Sequence, residues 1–331
     1  MKKIINVIGL LVGGLLASCA TADVLTFDQL KPAEMSFPSE IRQVGVVNNM
    51  LGRTNPPSDG LILDVLKGER VQATESLAGA LADSKYFDQI VICDSALQKS
   101  DAYDVVNPIL SQKDVKILSE DLGVDMLVSF DGLWVETSKK QMEYPGWDVP
   151  FPVVQAKVMP IVRLYLPSRP EPLYTLALTD SLYWNSSTPV SEKIILEEAT
   201  KFAVTKITDY LVPRWEPVER VYFSGGCVEM RDAAVYIREG AWQEAQDTWK
   251  SLYDRLRKGK TKARTAYNIA LSYEMLGDID GAQQWIQEAQ KFVAPNSQEE
   301  QIVKYYAEAL SGRISEVVSL KSQMHRFNDN F

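Results

Sequence analysis

Apolar and polar positions along the chain alternate first with the period of strands and helices in turn, and later with the period of helices alone. Val44-Gly45-Val46-Val47, ending in Asn48-Asn49, reads as a buried strand. Residues 52–60 hold too many turn formers to be anything but a loop. From about Glu69 to Asp83, Val71, Thr74, Ala78 and Leu81 recur three or four apart, which predicts a helix. Phe87 to Cys93 reads as a second strand. Ser111 to Gly123 is a marked helix: Ser111 is a candidate N-cap, Val115, Leu118 and Leu122 share a face, and Gly123 is a natural terminator. Val124 to Glu136 then alternates as a long strand. The runs Val153–Leu166 and Leu173–Trp184 flank a proline-rich turn, so the two are expected to pair antiparallel. Thr188 with Pro189 opens a further helix that Pro213 ends, with Leu196, Ala199, Ala203, Ile207 and Tyr210 facing one way.

That order predicts an α/β (α+β) amino-terminal domain with a mixed sheet. The carboxyl-terminal hundred residues predict an all-α repeat domain. Ala270, Tyr273, Gly277, Ile279, Ala282, Ile286 and Ala289 are echoed by Ala233, Tyr236, Gly240, Trp242, Ala245, Trp249 and Leu252, with the two glycines 37 residues apart. A weaker third copy carries a capping pair, Ser297 with Glu300, and a turn expected at Gly312, with Tyr305 where a small residue belongs. Small residues at fixed spacing let paired helices approach, large ones fill the space between pairs, and stacked copies bury what one copy cannot.

The first residues change the picture of where this body resides. Met1-Lys2-Lys3 precedes an apolar run of about 13 residues, Ile4 to Leu16, where a bilayer span needs roughly 20. Small residues then lead to a lone cysteine in Leu16-Ala17-Ser18-Cys19, the pattern of an export signal. The ending looks like a lipobox, which implies cleavage before Cys19 and acylation of its thiol. The expected divisions are a signal peptide over 1–18, a tether over 19–40, the α/β domain over 41–223 and the repeats over 224–331. In this arrangement the α/β domain is expected nearest the membrane.

The strand and helix order to residue 212 resembles the amino-terminal domains of TolB and curli-secretion lipoproteins. It does so through the Val44–Val47 strand, the Ile90-Val91-Ile92 strand, the helix ending Leu122-Gly123-Val124-Asp125 and the strand pair up to Trp184. The carboxyl-terminal spacing resembles a tetratricopeptide repeat, with two clear copies and a degenerate closing cap. The whole chain resembles uncharacterised envelope lipoproteins of the Bacteroidetes type. The repeat resemblance implies a concave groove lined by the first helix of each copy. Transferred to this sequence, those positions are Met230, Ala234, Ile237 and Arg238, then Arg264, Tyr267, Leu271, Glu274 and Met275. Arg238, Arg264 and Tyr267 suit an acidic or C-terminal peptide segment; a packing platform is the other reading of the same repeats.

Composition narrows the chemistry. The chain carries 44 acidic against 35 basic residues, a net charge of −9 that falls to −11 once Lys2 and Lys3 are removed. An acidic surface disfavours nucleic acid. The single histidine, His325, argues against His-clustered metal sites and His-based triads. Cys93 and Cys227 lie far apart in sequence and read as separate thiols, although pairing stays open in an oxidising compartment. No cofactor is expected, and no phosphate-cradling glycine loop or glycine-flanked nucleophilic serine is found. The segment 141–152 is rich in aromatic residues and proline, and Tyr144 with Trp147 is a candidate sugar or peptide platform. The sequence therefore predicts a non-enzymatic scaffold, lipid-anchored in the envelope at the outer membrane, whose partners are other envelope proteins or peptide segments. A carbohydrate-handling or hydrolytic protein and a subunit of an oligomeric secretion assembly are the alternatives.

Overall fold

The computed structural model describes residues 22–50, 61–62, 67–93, 109–143, 150–186 and 189–330. The predicted signal peptide, Cys19, the 52–60 loop, Tyr144, Trp147 and Thr188 lie outside them. An α/β part with a mixed sheet is followed by an all-helical part, as the periodicities predict. The chain divides into two compact units, each described in turn. The division does not run at one point: β1 (Asp23–Lys31) and Trp215–Lys321 form the helical unit, and Pro32–Arg214 with the residues from Ser322 on form the α/β unit.

The α/β unit is built on a seven-stranded sheet: β2 (Gln43–Asn48), β3 (Leu61–Ile62), β4 (Gln89–Cys93), β5 (Met126–Met142), β6 (Phe151–Tyr165), β7 (Tyr174–Ala177) and β8 (Asp180–Asn185). Its central order is β4-β2-β5-β6-β7, with β2 parallel to both neighbours and β5–β6 a long antiparallel hairpin. β3 pairs with β5, and β8 with β6. The run Leu173–Trp184 is thus two strands, not one. Both pair with β6, β7 against Ile161–Leu164 and β8 against Val153–Val158, and the chain leaves the ladder between them.

One face of this sheet is covered by α1 (Lys67–Asp83) and α3 (Glu192–Leu211), which bury Leu77, Leu81, Ala199, Ala203 and Ile207 against Val46, Val128, Ala156 and Val162. α3 starts later than Thr188-Pro189 suggests, because Ser191 accepts the Ile194 N–H and caps it. The other face is covered by α2 (Gln112–Leu122), which buries Val115 near Val47, Leu127 and Tyr165. Here Ser111 caps and Gly123 ends the helix in the left-handed region at φ 65°, both as expected. Gly45 in β2 admits this approach: a Cβ there would lie 2.8 Å from Leu127 and 3.2 Å from Leu122. After residue 322 the chain returns to this unit. Gln323 makes hydrogen bonds with the Ala33 N–H and C=O. Arg326 donates to the carbonyls of Phe37, Pro38, Ile41 and Tyr86 and lies 4.1 Å from the Tyr86 ring centroid.

The helical unit holds α4 (Val228–Arg238), α5 (Trp242–Arg255), α6 (Lys260–Met275), α7 (Ile279–Gln290) and α8 (Gln298–Gln323, of which the last two residues belong to the α/β unit). α4–α5 and α6–α7 are hairpins turned at Gly240 and Gly277, both with positive φ. Ala233, Ala245, Ala270 and Ala282 are fully buried where helices meet, and Trp249 and Ile286 fill the space between them. The expected turn at Gly312 is absent. That glycine sits inside α8, a single helix of 26 residues, with Val303, Tyr306 and Leu310 buried before it and Leu320 after it. One glycine costs a helix only about 1 kcal/mol against alanine. Residues 23–31, expected as tether, are a strand: β1 pairs with β9 (Arg214–Tyr222) in a two-stranded ribbon. Asp23 to Gln29 alternates between half-buried or buried and exposed positions, the mark of a strand with one covered face.

Candidate functional site

The helical face predicted as an open groove is filled by the chain itself. Of its predicted lining, Met230, Ala234, Ile237, Tyr267, Leu271 and Glu274 are buried in the unit's own core, and Met275 is half-buried. The occupant is β9 and the residue beyond it. Asn268 grips the Phe223 main chain at both ends: its Oδ1 accepts the Phe223 N–H at 2.9 Å and its Nδ2 donates to the Phe223 C=O at 2.7 Å. The Phe223 ring meets Tyr267 edge-on at 5.3 Å and lies under Arg264 at 4.9 Å. Arg264 is not free for a peptide carboxylate, since it bonds Glu299 at 2.7 Å. Lys260 reaches the same oxygen. Burial alone would raise the Glu299 carboxyl, but the bonds from Lys260 and Arg264 outweigh it and bring it down to about 2.

Three residues behind Phe223, Arg220 forms a two-point ion pair with Glu274, Nε to Oε2 at 3.1 Å and Nη2 to Oε1 at 2.9 Å. Tyr306 donates to the same carboxylate at 2.7 Å, and Gln29 on β1 approaches it at 3.4 Å. Burial works against the Arg220 charge, yet the Glu274 contact carries it above the ordinary value. Burial also pushes the Tyr267 and Tyr306 hydroxyls up, so both stay neutral. Chemically this is a grip on extended main chain by an amide clamp, an ion pair and an edge-on ring contact. It is closed in cis, so the groove reading is corrected to that of a platform for the chain's own ribbon. Arg238 alone among the predicted lining residues is exposed.

A second cluster, which no sequence pattern singled out, lies in the α/β unit. Asp131 sits at the β-bulge of β5, where the pairing with β6 slips between Phe130 and Gly132. Its Oδ1 accepts from Asn49 Nδ2 at 2.9 Å and from Ser129 Oγ at 2.6 Å, and its Oδ2 pairs with Arg163. Asp131, Asn49 and Ser129 are essentially inaccessible. Burial raises the Asp131 carboxyl and outweighs the lowering by Ser129, Asn49 and Arg163. Tyr165 stands beside it, raised by burial and by the Asp131 charge, with its hydroxyl accepting the Leu110 N–H. The cluster follows the carboxyl end of β2, the place where open α/β sheets present polar groups to ligands. Each Asp131 oxygen already has a partner, so the arrangement is a closed polar knot. Its one sequence signal was a lone acid inside the apolar run Met126–Val135.

Cys93 and Cys227 are both half-buried and form no disulfide with each other. His325 is exposed. Among the described residues no group of three or more His, Cys, Asp or Glu is placed to hold a metal ion, and no helix is long and apolar enough to cross a membrane.

Residues 41–223 match a family described as a domain of unknown function, DUF8603, and the chain belongs to that family. Residues 231–312 match a second, also described as a domain of unknown function, DUF6340. Among the curated proteins none matches. A solved structure, that of the hypothetical protein CT253 from Chlamydia trachomatis, is 13% identical with a TM-score of 0.27, covering 51% of this chain and 97% of its own.

Proposed function

We propose that the protein is a lipid-anchored, non-enzymatic assembly platform of the cell envelope, at the outer membrane. The observation that carries this reading is the Leu16-Ala17-Ser18-Cys19 ending behind a short apolar run. Acyl chains on Cys19 supply the attachment, each buried methylene contributing about 0.8 kcal/mol. The repeats, of the tetratricopeptide kind, support a body built to hold proteins rather than to transform them. With its inner face taken by β9, that body engages other envelope proteins through its outer surfaces.

β1 begins at Asp23 and belongs to the helical unit. A tether this short supports a reading in which the helical unit stays close to the lipid. The test is expression of the full chain and of Cys19→Ala in a bacterial host, with detergent-phase partition and mass analysis of the amino-terminal peptide. The expected result is an acylated Cys19 and a detergent-phase protein that moves to the aqueous phase in the variant. An unprocessed leader, or a variant that partitions unchanged, overturns the proposal. Cross-linking in intact cells then identifies what the platform holds; recovery of no other envelope protein would remove the assembly role.

A further inference from the structure

The way the chain leaves the lipid selects one surface of the helical unit. Ala22 already packs against the helical core, and Asp23 opens β1. At most about 3.6 Å of extended chain per residue puts Asp23 within about 14 Å of the Cys19 backbone. The Asp23 carboxylate and the Arg238 guanidinium both lie against the Tyr222 hydroxyl. Arg238 is the last residue of α4, so this helix stands where the tether enters.

The inner side of α4 buries Met230, Ala233, Ala234 and Ile237. Its outer side carries Val228 and Val235, which are 57% and 41% exposed and lie two turns apart. Exposed Arg231 and Arg238 run along one flank of these valines, and exposed Asp232 and Glu239 along the other. The stripe is therefore apolar along its ridge and of opposite charge on its two sides.

Resting on the lipid attachment of Cys19, we propose that this outer face of α4 lies in the headgroup layer of the membrane that holds the protein. The valines enter the boundary between headgroups and chains. The arginines meet phosphate oxygens, and Asp232 and Glu239 meet the ammonium groups of phosphatidylethanolamine. The acyl chains supply the affinity. The mixed charge of the helix face, close to neutral, supplies orientation and fixes which side of the helical unit points away from the bilayer.

The test uses the full acylated chain in vesicles of phosphatidylethanolamine and phosphatidylglycerol, with Cys93→Ser and Cys227→Ser as background. Single nitroxide labels are placed at Val228→Cys, Val235→Cys and Val318→Cys. Val318 is 66% exposed on α8. That helix meets the far end of β1, where Arg313 bonds the Leu30 C=O and Glu316 pairs with Lys31. Eight residue steps of strand place this end about 26 Å from Asp23. The expected result is an oxygen-to-nickel accessibility ratio severalfold higher at 228 and 235 than at 318, reduced by Arg231→Glu with Arg238→Glu while circular dichroism is unchanged. Equal ratios at all three positions, with acylated Cys19 confirmed by mass, overturn the orientation and leave the anchor standing. A Cys19 without acyl chains removes both.

Discussion

In the helical unit the buried pair Arg220–Glu274 joins a strand to a helix 54 residues away, whereas in the α/β unit Asp131 and Arg163 join neighbouring strands of one hairpin. The first pair adds to the apolar packing of Leu25, Tyr222 and Phe223 between a two-stranded ribbon and a helix stack. Its two-point geometry, with the Asn268 clamp beside it, sets the register of β9 against α6. The second pair fills a gap in a sheet that is already held by its ladder, at the point where the bulge interrupts pairing. The balance of forces also differs between Asp131 and Glu299, another ion-paired carboxylate of the helical unit. Glu299 in the helical unit is driven down by its cations, while Asp131 is driven up by burial. A buried charge can thus be the fastening of a subunit or merely the filling of a defect, and mutation separates the two.

The largest effect is expected from Glu274→Ala. It strands Arg220, whose side chain is 9% exposed, and should destabilise the helical unit by about 3–5 kcal/mol. Hydrogen exchange should report faster exchange in α4 to α8 and none in the sheet. Asp131→Asn, its counterpart, keeps the shape and leaves Arg163 nearer water, and about 1–3 kcal/mol is expected. Equal losses would erase the distinction drawn here. Asn268→Ala leaves the Phe223 N–H and C=O without their clamp and should cost the helical unit about 2–4 kcal/mol. Urea titration read from helical-unit amides checks it.

Acid should act on the Glu299 and Asp131 sites with opposite sign. The Glu299 carboxyl is lower in the fold than in the unfolded chain, so its contribution is full above its unfolded value near 4.3 and is lost as pH falls towards 2. The Asp131 carboxyl is higher in the fold, so protonation relieves a cost and this site gains stability as pH falls. Amide exchange corrected for intrinsic rates, followed from pH 5 to 2, should show the helical unit opening first. In Glu299→Gln that acid slope should flatten.

The smallest effects come from two glycines at close approaches. In Gly281→Ala the new Cβ falls 2.5 Å from the Tyr273 ring at the α6–α7 turn, and in Gly45→Ala 2.8 Å from Leu127. Each should cost about 1–3 kcal/mol, with a lower melting temperature confined to its own unit.

What was legible in the sequence was what short stretches decide. Ser111 and Gly123 announced both ends of one helix, and the spacing of Ala233, Ala245, Ala270 and Ala282 announced paired helices. The antiparallel pairing of β6 with the run after residue 172 followed from one proline-rich turn, while the break of that run into β7 and β8 did not. What was hidden depends on partners far along the chain. Nothing between Asp23 and Lys31 says that β9 will lie beside it, and without that strand the face carrying Tyr267 and Leu271 reads as an open groove. Gly312 gave a turn signal that the buried face of α8 overrides. Asp131 and Asn49 become neighbours only through the parallel pairing of β2 with β5.

The ribbon also constrains the order in which the molecule can be completed. About 180 residues separate the end of β1 from the start of β9. β1 finds its hydrogen-bonding partner only once most of the polypeptide has been made. Closing so long a loop is slow, although each doubling of its length adds only about 0.6 kcal/mol. Until β9 has been made, β1 is a strand without its ribbon partner, an edge open to pairing with other chains.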